Sequence, residues 1–172
     1  MGGPASAVTE RQMPAPPASF EDFFEAEHAR LLRALFLVTG NVQEAEELMQ
    51  DAFLAVWERW DRVSGLEDPT GYLYRTAMNA FRKRYRRAAL ALRRAVTGVR
   101  SQDPFEEIDE RQDLVAAIGA LTPRQRAALV LLDVVDMTSE EAGRALGVAP
   151  GTVRSLATRA RAAVRDSLEE GR

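Results

Sequence analysis

The sequence predicts an all-α protein made of two small helical domains joined by a flexible linker. Apolar residues recur with a period near 3.6 in successive segments, which is the spacing of one helix face. Ser, Thr, Asn or Asp precedes several of these segments, where such side chains cap helix N-termini. The periodicity lapses over residues 97–102, which include a glycine. We therefore expect helical units over residues 19–95 and 108–172, with residues 96–107 as the linker.

The composition excludes several kinds of site. The 172 residues contain no cysteine, which removes disulfides, thiol nucleophiles and thiolate metal ligands, and His28 is the single histidine. We find no Gly-rich phosphate loop and no nucleophile–base pair. We therefore expect no enzyme activity, no cofactor and no metal. The sequence also lacks a membrane-spanning apolar run and a signal peptide, which fits a cytoplasmic protein.

The net charge of −3 hides a segregated distribution. Residues 69–102 contain no acidic residue, whereas an acidic cluster follows directly after them. Like charges at high density repel one another on a helix, and a polyanion would neutralise them. The pattern therefore favours a nucleic acid partner. The nine basic residues of this window are Arg75, Arg82, Lys83, Arg84, Arg86, Arg87, Arg93, Arg94 and Arg100.

The N-terminal unit begins after a tail. Residues 1–18 hold four of the eight prolines and show no apolar periodicity, which predicts disorder. Ser19 caps a first helix that Gly40 ends. Asn41 caps a second, strongly amphipathic helix that we expect to reach Trp60, with Trp57 on its apolar stripe. Its other face is acidic or amide with one exposed leucine. Such a face is either simply solvated or a docking surface for a basic helix.

A loop over residues 61–69 precedes the third helix, which Asp68 and Pro69 start. Aromatic residues alternate with arginines along this helix. Rings that stack on unpaired bases beside cations that neutralise phosphates are typical of single-strand binding. A place in the core is the other explanation of such rings, and for Phe81 it is the better one. The aromatic residues are Tyr72, Tyr74, Phe81 and Tyr85.

The C-terminal unit ends in a predicted helix-turn-helix. Thr138 caps a short helix that Gly147 ends, and Pro150 starts the last helix. A Gly-containing turn before a second helix rich in Arg, Thr and Ser is typical of this DNA-binding motif. Arginine can bind guanine edges in the major groove, and Ser or Thr can contact bases or phosphates. The polar residues of the last helix are Thr152, Arg154, Ser155, Thr158, Arg159 and Arg161.

Two helical units with these features, in this order, resemble the sigma factors of bacterial RNA polymerase. The chain is most similar to the compact extracytoplasmic-function (ECF) group common in actinobacteria. The resemblance covers residues 19–168 and implies that residues 19–95 form sigma region 2 and residues 108–172 form sigma region 4. It rests on the motifs AEELMQDAFLAVWERWDRV, DPTGYLYRTAMNAFRKRYRR, LTPRQRAALVLLDVVDMTSEEAGRALGVAPGTVRS and RARAAVR.

The resemblance implies a promoter-specificity factor with several partners. These are core RNA polymerase, through its β′ clamp helices and β flap, promoter DNA, and an anti-sigma factor. The place of action would be the cytoplasm, at the nucleoid through RNA polymerase. The second helix would bind the polymerase, the loop and third helix would melt and read the −10 element, and the last helix would read the −35 duplex.

The same resemblance implies residues for each task. Polymerase binding would use Glu47, Gln50, Asp51, Leu54 and Glu58. Reading of the −10 element would use Tyr72, Arg75, Asn79, Arg82, Lys83 and Arg86, and reading of the −35 element would use the six polar residues of the last helix. An alternative is a stand-alone LuxR-type regulator, since LTPRQRAALVLL before a helix-turn-helix also resembles that output domain. That alternative leaves residues 19–95 unexplained.

Overall fold

The computed structural model describes residues 19–92 and 109–170, with side chains described for residues 19–87 and 113–170. Within these ranges the regular structure is helical and contains no strand, which confirms the all-α prediction. The predicted tail and linker, residues 1–18 and 96–107, lie outside the described residues. The helices are α1 (Phe20–Thr39), α2 (Val42–Trp57), α3 (Trp60–Val63), α4 (Pro69–Leu92), α5 (Asp109–Ala120), α6 (Pro123–Leu129), a π-helical turn (Val130–Val134), α7 (Ser139–Leu146) and α8 (Pro150–Glu170).

Helix starts follow the predicted capping residues. The Ser19 hydroxyl accepts a hydrogen bond from the Asp22 amide at 3.1 Å, which satisfies one free donor of the first turn of α1. The Asn41 side chain caps α2 in the same way. Thr122 and Thr138 form complete capping boxes at the starts of α6 and α7. The local sequence therefore determines where these helices begin.

The second helix ends earlier than predicted. α2 stops at Trp57, and a short turn separates it from α3, which occupies part of the predicted loop. This break turns the Trp60 ring into the core, where its centroid lies 5.5 Å from that of Phe20 and 5.2 Å from that of Phe23. Trp57, which we expected on the buried stripe, is 58% exposed. The prediction for Trp57 is therefore wrong: α2 ends at this residue, and its ring lies at the surface near the exposed Leu54.

Each sequence unit has a buried apolar centre. In the first unit α2 packs on α1 and on α4, and the Tyr74 ring is fully buried between them. Tyr74 is therefore a core residue rather than one of the rings available for stacking on bases. In the second unit α8 packs against α5, α6 and α7. The two helices of the helix-turn-helix pack through Ala142, Leu146, Val153 and Ala157, which are all buried, with Val148 half-buried beside them.

The two units also pack against each other. α4 contacts α7, while α1 contacts α6 and the π-helical turn. Buried residues of both units belong to one continuous apolar cluster. The sequence predicts two separate domains and gives no sign of this contact, because local periodicity shows that a face is apolar but not which other face covers it.

Candidate nucleic-acid and partner interfaces

The exposed side of α2 forms an apolar groove with an acidic rim. Leu54 and Trp57 project into solvent with 54% and 58% of their surface exposed. They line the groove together with three phenylalanines of the core edge, and Gln50 lies beside them. Glu21 and Glu25 of α1 contribute the acidic rim. An exposed apolar surface with a rim of one charge sign is typical of a binding surface for a basic amphipathic helix. The lining phenylalanines are Phe20, Phe24 and Phe53.

The residues predicted for polymerase binding lie on this exposed side of α2, but one of them, Glu47, already has a partner within the chain. Gln50, Asp51, Leu54 and Glu58 are exposed. The Glu47 carboxylate accepts a hydrogen bond from the Arg84 guanidinium of α4 at 2.6 Å. Its charge is thus partly neutralised within the chain, and Glu47 helps to hold α2 on α4. Sequence reasoning missed Trp57 as a surface residue, since its place on the apolar stripe pointed inward.

The start of α4 carries an aromatic ring between two cations. The Arg62 and Arg75 guanidinium carbons lie 5.7 Å and 5.5 Å from the centroid of the Tyr72 ring. Arg62 also donates a hydrogen bond to the Tyr72 hydroxyl at 3.1 Å. Cations at this distance attract the electron-rich face of the ring and restrict its orientation. Sequence reasoning missed Arg62, and the only available signal was a basic residue within the predicted loop.

The remaining predicted residues of α4 divide into those exposed to solvent and those at the contact between the two units. Asn79, Lys83 and Arg86 are exposed. Arg82 donates a hydrogen bond to the Asn79 side chain at 3.3 Å, while its guanidinium lies against Gly147 of the second unit. Arg75 lies in a cleft that residues of both units line. The predicted −10 residues therefore share one helix, but two of them are located where the units meet.

The start of α4 is anchored to α1 through a partly buried polar contact. The Thr70 hydroxyl donates a hydrogen bond to Glu27 at 3.1 Å. Burial raises the pKa of the Glu27 carboxyl, since the charged form loses hydration, and burial likewise raises the pKa of the nearby Tyr74 hydroxyl. Beside them, Arg30 donates a hydrogen bond to the Val135 carbonyl of the second unit. These contacts fix the helix on which the predicted −10 residues stand.

The six predicted residues of α8 are all exposed, but two arginines already have partners. Arg161 makes two hydrogen bonds to the Asp133 carboxylate, at 2.9 Å and 2.6 Å. These bonds raise the pKa of Arg161 and tie α8 to the π-helical turn. Arg154 donates a hydrogen bond to the Ser139 hydroxyl at 3.0 Å and lies 3.7 Å from Glu140. Both contacts of Arg154 are at the surface, where an exposed ion pair contributes about 0–1 kcal/mol and is easily exchanged.

The described residues show no sign of metal chemistry or membrane insertion. Among residues 19–92 and 109–170 there is no group of three or more His, Asp or Glu side chains arranged to bind a metal ion. In the same ranges no helix combines the length and the apolar character that crossing a bilayer requires.

Comparison with known families assigns both units. Residues 23–91 match the family described as Sigma-70 region 2, and residues 111–164 match the family described as Sigma-70, region 4. The RNA polymerase sigma-E factor of Streptomyces antibioticus is 30% identical over 152 residues, covering 87% of this chain and 84% of that protein. The chain belongs to the sigma factors of RNA polymerase. The region 2 match also accounts for the residues that a LuxR-type regulator would leave unexplained.

Other similar proteins agree with this assignment. The ECF RNA polymerase sigma factor SigE of Mycolicibacterium smegmatis is 35% identical over 161 residues, which span 87% of this chain and 62% of that protein. Among solved structures, the sigma factor RpoE of Bartonella quintana, in complex with the anti-sigma factor NepR, is 22% identical with a TM-score of 0.74. The match covers 89% of this chain and 98% of that chain, and it shows the same fold. The predicted ECF resemblance is thus confirmed.

Proposed function

We propose that this sigma factor divides promoter recognition among three surfaces: the groove on α2 for core polymerase, α4 for the −10 element and α8 for the −35 element. The observation that supports this division most strongly is the order of regions 2 and 4 in one chain, each with its own exposed basic helix. The chain acts as a binding subunit without enzyme activity of its own. Its place of action is the cytoplasm, at the nucleoid, where polymerase and chromosome meet.

Core polymerase would bind the α2 groove through a basic amphipathic helix such as a β′ clamp helix. Leu54 and Trp57 supply the apolar contact, and Trp is the residue type most often found at the energetic centre of an interface. Asp51, Gln50 and Glu58 supply polar and charged contacts around them. Glu47 takes a smaller part, because its carboxylate is already paired with Arg84. The β flap would make a further contact with region 4.

The −10 element would be read as a separated strand along α4. Tyr72 presents an aromatic ring whose orientation Arg62 and Arg75 restrict, which suits stacking on an unpaired base. Asn79 offers an amide for a base edge, and Lys83 and Arg86 offer charge for phosphates. Arg82 joins them once it leaves Gly147. All these side chains stand on one helix whose start is anchored by Thr70 and Glu27.

The −35 element would be read as a duplex by α8. Arg154 and Arg159 are the best candidates for guanine edges, because they are exposed and Arg159 has no described partner. Thr152, Ser155 and Thr158 would contact bases or phosphates beside them. Arg161 would hold α8 in place through its hydrogen bond to Asp133. It would add positive charge beside the DNA without contacting a base.

An anti-sigma factor is the remaining proposed partner. Two solved structures with this fold are described as sigma factors bound to inhibitors, RpoE with the anti-sigma factor NepR and CnrH with the cytosolic domain of CnrY. CnrH is 24% identical with a TM-score of 0.60, and 88% of each chain is covered. An inhibitor of this chain would act by covering the same polymerase-binding and DNA-binding surfaces.

The experiment that tests the proposal is run-off transcription on fragmented genomic DNA with purified core polymerase, with and without this protein. Discrete new transcripts that share two upstream motifs are the expected result. Measurable binding to core without new transcripts would contradict the proposed promoter reading and indicate a protein that sequesters polymerase. Absence of core binding would contradict the role of the α2 groove.

A further inference from the structure

We propose that the cavity between α4 and the second unit binds a small aromatic anion, a single ring that carries a phosphate or carboxylate group. Phe81 and Tyr85 of α4 line this cavity together with Leu146, Val148 and Leu156 of the second unit. The proposal goes beyond promoter recognition, because it concerns a small ligand held in a cavity rather than polymerase or DNA bound at a surface.

The size of the cavity limits the ligand to one ring with a small substituent. The cavity has a volume of about 210 Å³. An apolar cavity of about 150 Å³ is enough to bind benzene in a protein interior. The difference leaves space for one small substituent on the ring, and a larger ligand would have to extend into solvent.

Much of the cavity wall is apolar and partly aromatic. Phe81 and Leu146 are buried, and Val148 and Leu156 are half-buried. The rings of Phe81 and Tyr85 are stacked, with centroids 6.2 Å apart and planes inclined by 25°. Tyr85 keeps 44% of its surface exposed, so part of this side chain is still available to a further ring. The wall therefore favours an aromatic ligand, since aromatic pairs gain energy beyond the burial of their area.

Positive charge accompanies this apolar wall. Arg82, Arg86 and Arg124 line the cavity, and no acidic residue is among the described residues that line it. Arg82 donates a hydrogen bond to the Asn79 side chain at 3.3 Å, and Arg86 donates one to the Arg82 carbonyl at 3.4 Å. Both bonds are long, and each guanidinium has five N–H donors, so donors remain for a ligand. A phosphate or carboxylate would accept short charge-assisted hydrogen bonds here and reduce the repulsion among the three cations.

Two other concave sites of the described chain lack this combination of ring and charge. The α2 groove is aromatic, but Glu21 and Glu25 on its rim repel an anion. The cleft at the start of α4 has no aromatic lining residue, and Glu67, Asp68 and Glu141 contribute negative charge to it. An aromatic anion should therefore prefer the cavity beside Tyr85 to either of these sites.

A ligand in this cavity would contact both units at once. Since it binds the folded chain and not the unfolded one, it should raise the melting temperature as its concentration rises. Its anionic group would also occupy Arg82 and Arg86, which belong to the predicted −10 residues. The ligand should then weaken binding of a −10 strand, a consequence that rests on the proposed function of α4, whereas the binding itself does not.

The test is an NMR titration of the full-length chain with phenyl phosphate, and with inorganic phosphate and phenol as its two halves, at constant ionic strength. Phenyl phosphate should bind at one site with a Kd at least about tenfold lower than that of either half, because ring and anion contribute together. Equally tight binding of phosphate would indicate only a basic patch, and equally tight binding of phenol only an apolar gap. Either result, or no saturable binding of phenyl phosphate, would overturn the proposal.

Variants locate the binding site. Arg124→Ala removes one exposed cation that is outside the predicted DNA-binding residues, and it should raise the Kd for phenyl phosphate about tenfold. Arg165→Ala is the matched control, because Arg165 is an exposed arginine of α8 that does not line the cavity, and its Kd should equal that of the wild type. Tyr85→Ala should weaken binding of phenyl phosphate but not of inorganic phosphate. Equal losses in Arg124→Ala and Arg165→Ala would mean diffuse attraction to basic residues and would overturn the site.

A cavity-filling variant gives an independent check. Val148→Phe places a ring inside the cavity and should abolish binding of phenyl phosphate, while its melting curve shows whether the chain still folds. Unchanged binding by a folded Val148→Phe variant would contradict the proposal. These titrations contain neither polymerase nor DNA. Failure of the ligand site therefore leaves run-off transcription intact, and failure of the proposed function leaves binding of phenyl phosphate intact.

Discussion

Replacement of Trp57 by Ala should weaken core polymerase binding more than any other single change on α2. Trp57 leaves 58% of its surface exposed in the free chain. A tryptophan carries about 150–250 Å² of surface, so roughly 90–145 Å² is still available for a partner to cover. At about 25 cal/mol per Å² this contact contributes about 2–3.5 kcal/mol, or roughly 30–300-fold in Kd.

The assay is a titration of fluorescently labelled chain with purified core polymerase. Leu54→Ala is a graded comparison: about half of a leucine side chain remains to be covered, which predicts about 1 kcal/mol and roughly fivefold in Kd. Leu66→Ala is the matched control, because this leucine is also exposed, at 37%, but lies outside the groove. Its Kd should equal that of the wild type.

The outcome that would refute this reasoning is specific. Trp57 is not one of the buried core residues, so its removal should lower the melting temperature by clearly less than removal of a fully buried side chain such as Leu48. If Trp57→Ala keeps wild-type affinity for core, the groove is not the polymerase contact. If the variant instead loses as much melting temperature as Leu48→Ala, the exposed position of the ring is wrong.

Three further predictions concern α8 and the anchor of α4. Replacing Arg154 and Arg159 by Ala should weaken −35 duplex binding by about 1–3 kcal/mol per lost base contact and leave core affinity unchanged; equal losses in both assays would contradict separate surfaces. Asp133→Asn should lower the free energy of unfolding by about 1 kcal/mol or less, measured by urea titration, because the Arg161 pair is exposed; a larger loss would mean that the pair organises the domain. Burial raises the pKa of the Glu27 carboxyl above its usual 4.5. The folded state therefore prefers the neutral carboxyl, which stabilises the fold at low pH. This stabilisation is lost as the pH rises through the raised pKa. Glu27→Gln should therefore gain melting temperature relative to wild type as the pH rises above about 4.5, and a difference that is constant with pH would exclude this cause.

Much of the fold could be predicted because its causes are local. Ser19, Asn41 and Thr138 cap the helices that they were predicted to start, since capping depends on a side chain and amides within one turn. Trp57 shows where local reasoning stops. α2 ends at this residue, and the apolar stripe alone does not reveal that its ring lies at the surface.

The residue types at the candidate surfaces could be predicted more reliably than which of those side chains are free to bind a partner. Tyr74 and Tyr72 look alike in the sequence, yet one is fully buried and the other is held between two arginines. Likewise Arg161 and Arg159 look equivalent, but Asp133, far away in the sequence, pairs with Arg161. Such pairings depend on how distant segments pack. The contact between the two units escaped prediction for the same reason.

The assignment of separate surfaces to the two promoter elements is tested most directly by run-off transcription in which protein variants are combined with promoter variants. Wild type and the Arg154→Ala variant are each assayed on a cognate promoter, on one with an altered −35 element and on one with an altered −10 element. Altering the contacted −35 base should reduce transcription by wild type but add no further loss for Arg154→Ala, whereas altering the −10 element should reduce transcription by both proteins. If Arg154→Ala and a base change reduce transcription independently of each other at every −35 position, Arg154 does not contact that element.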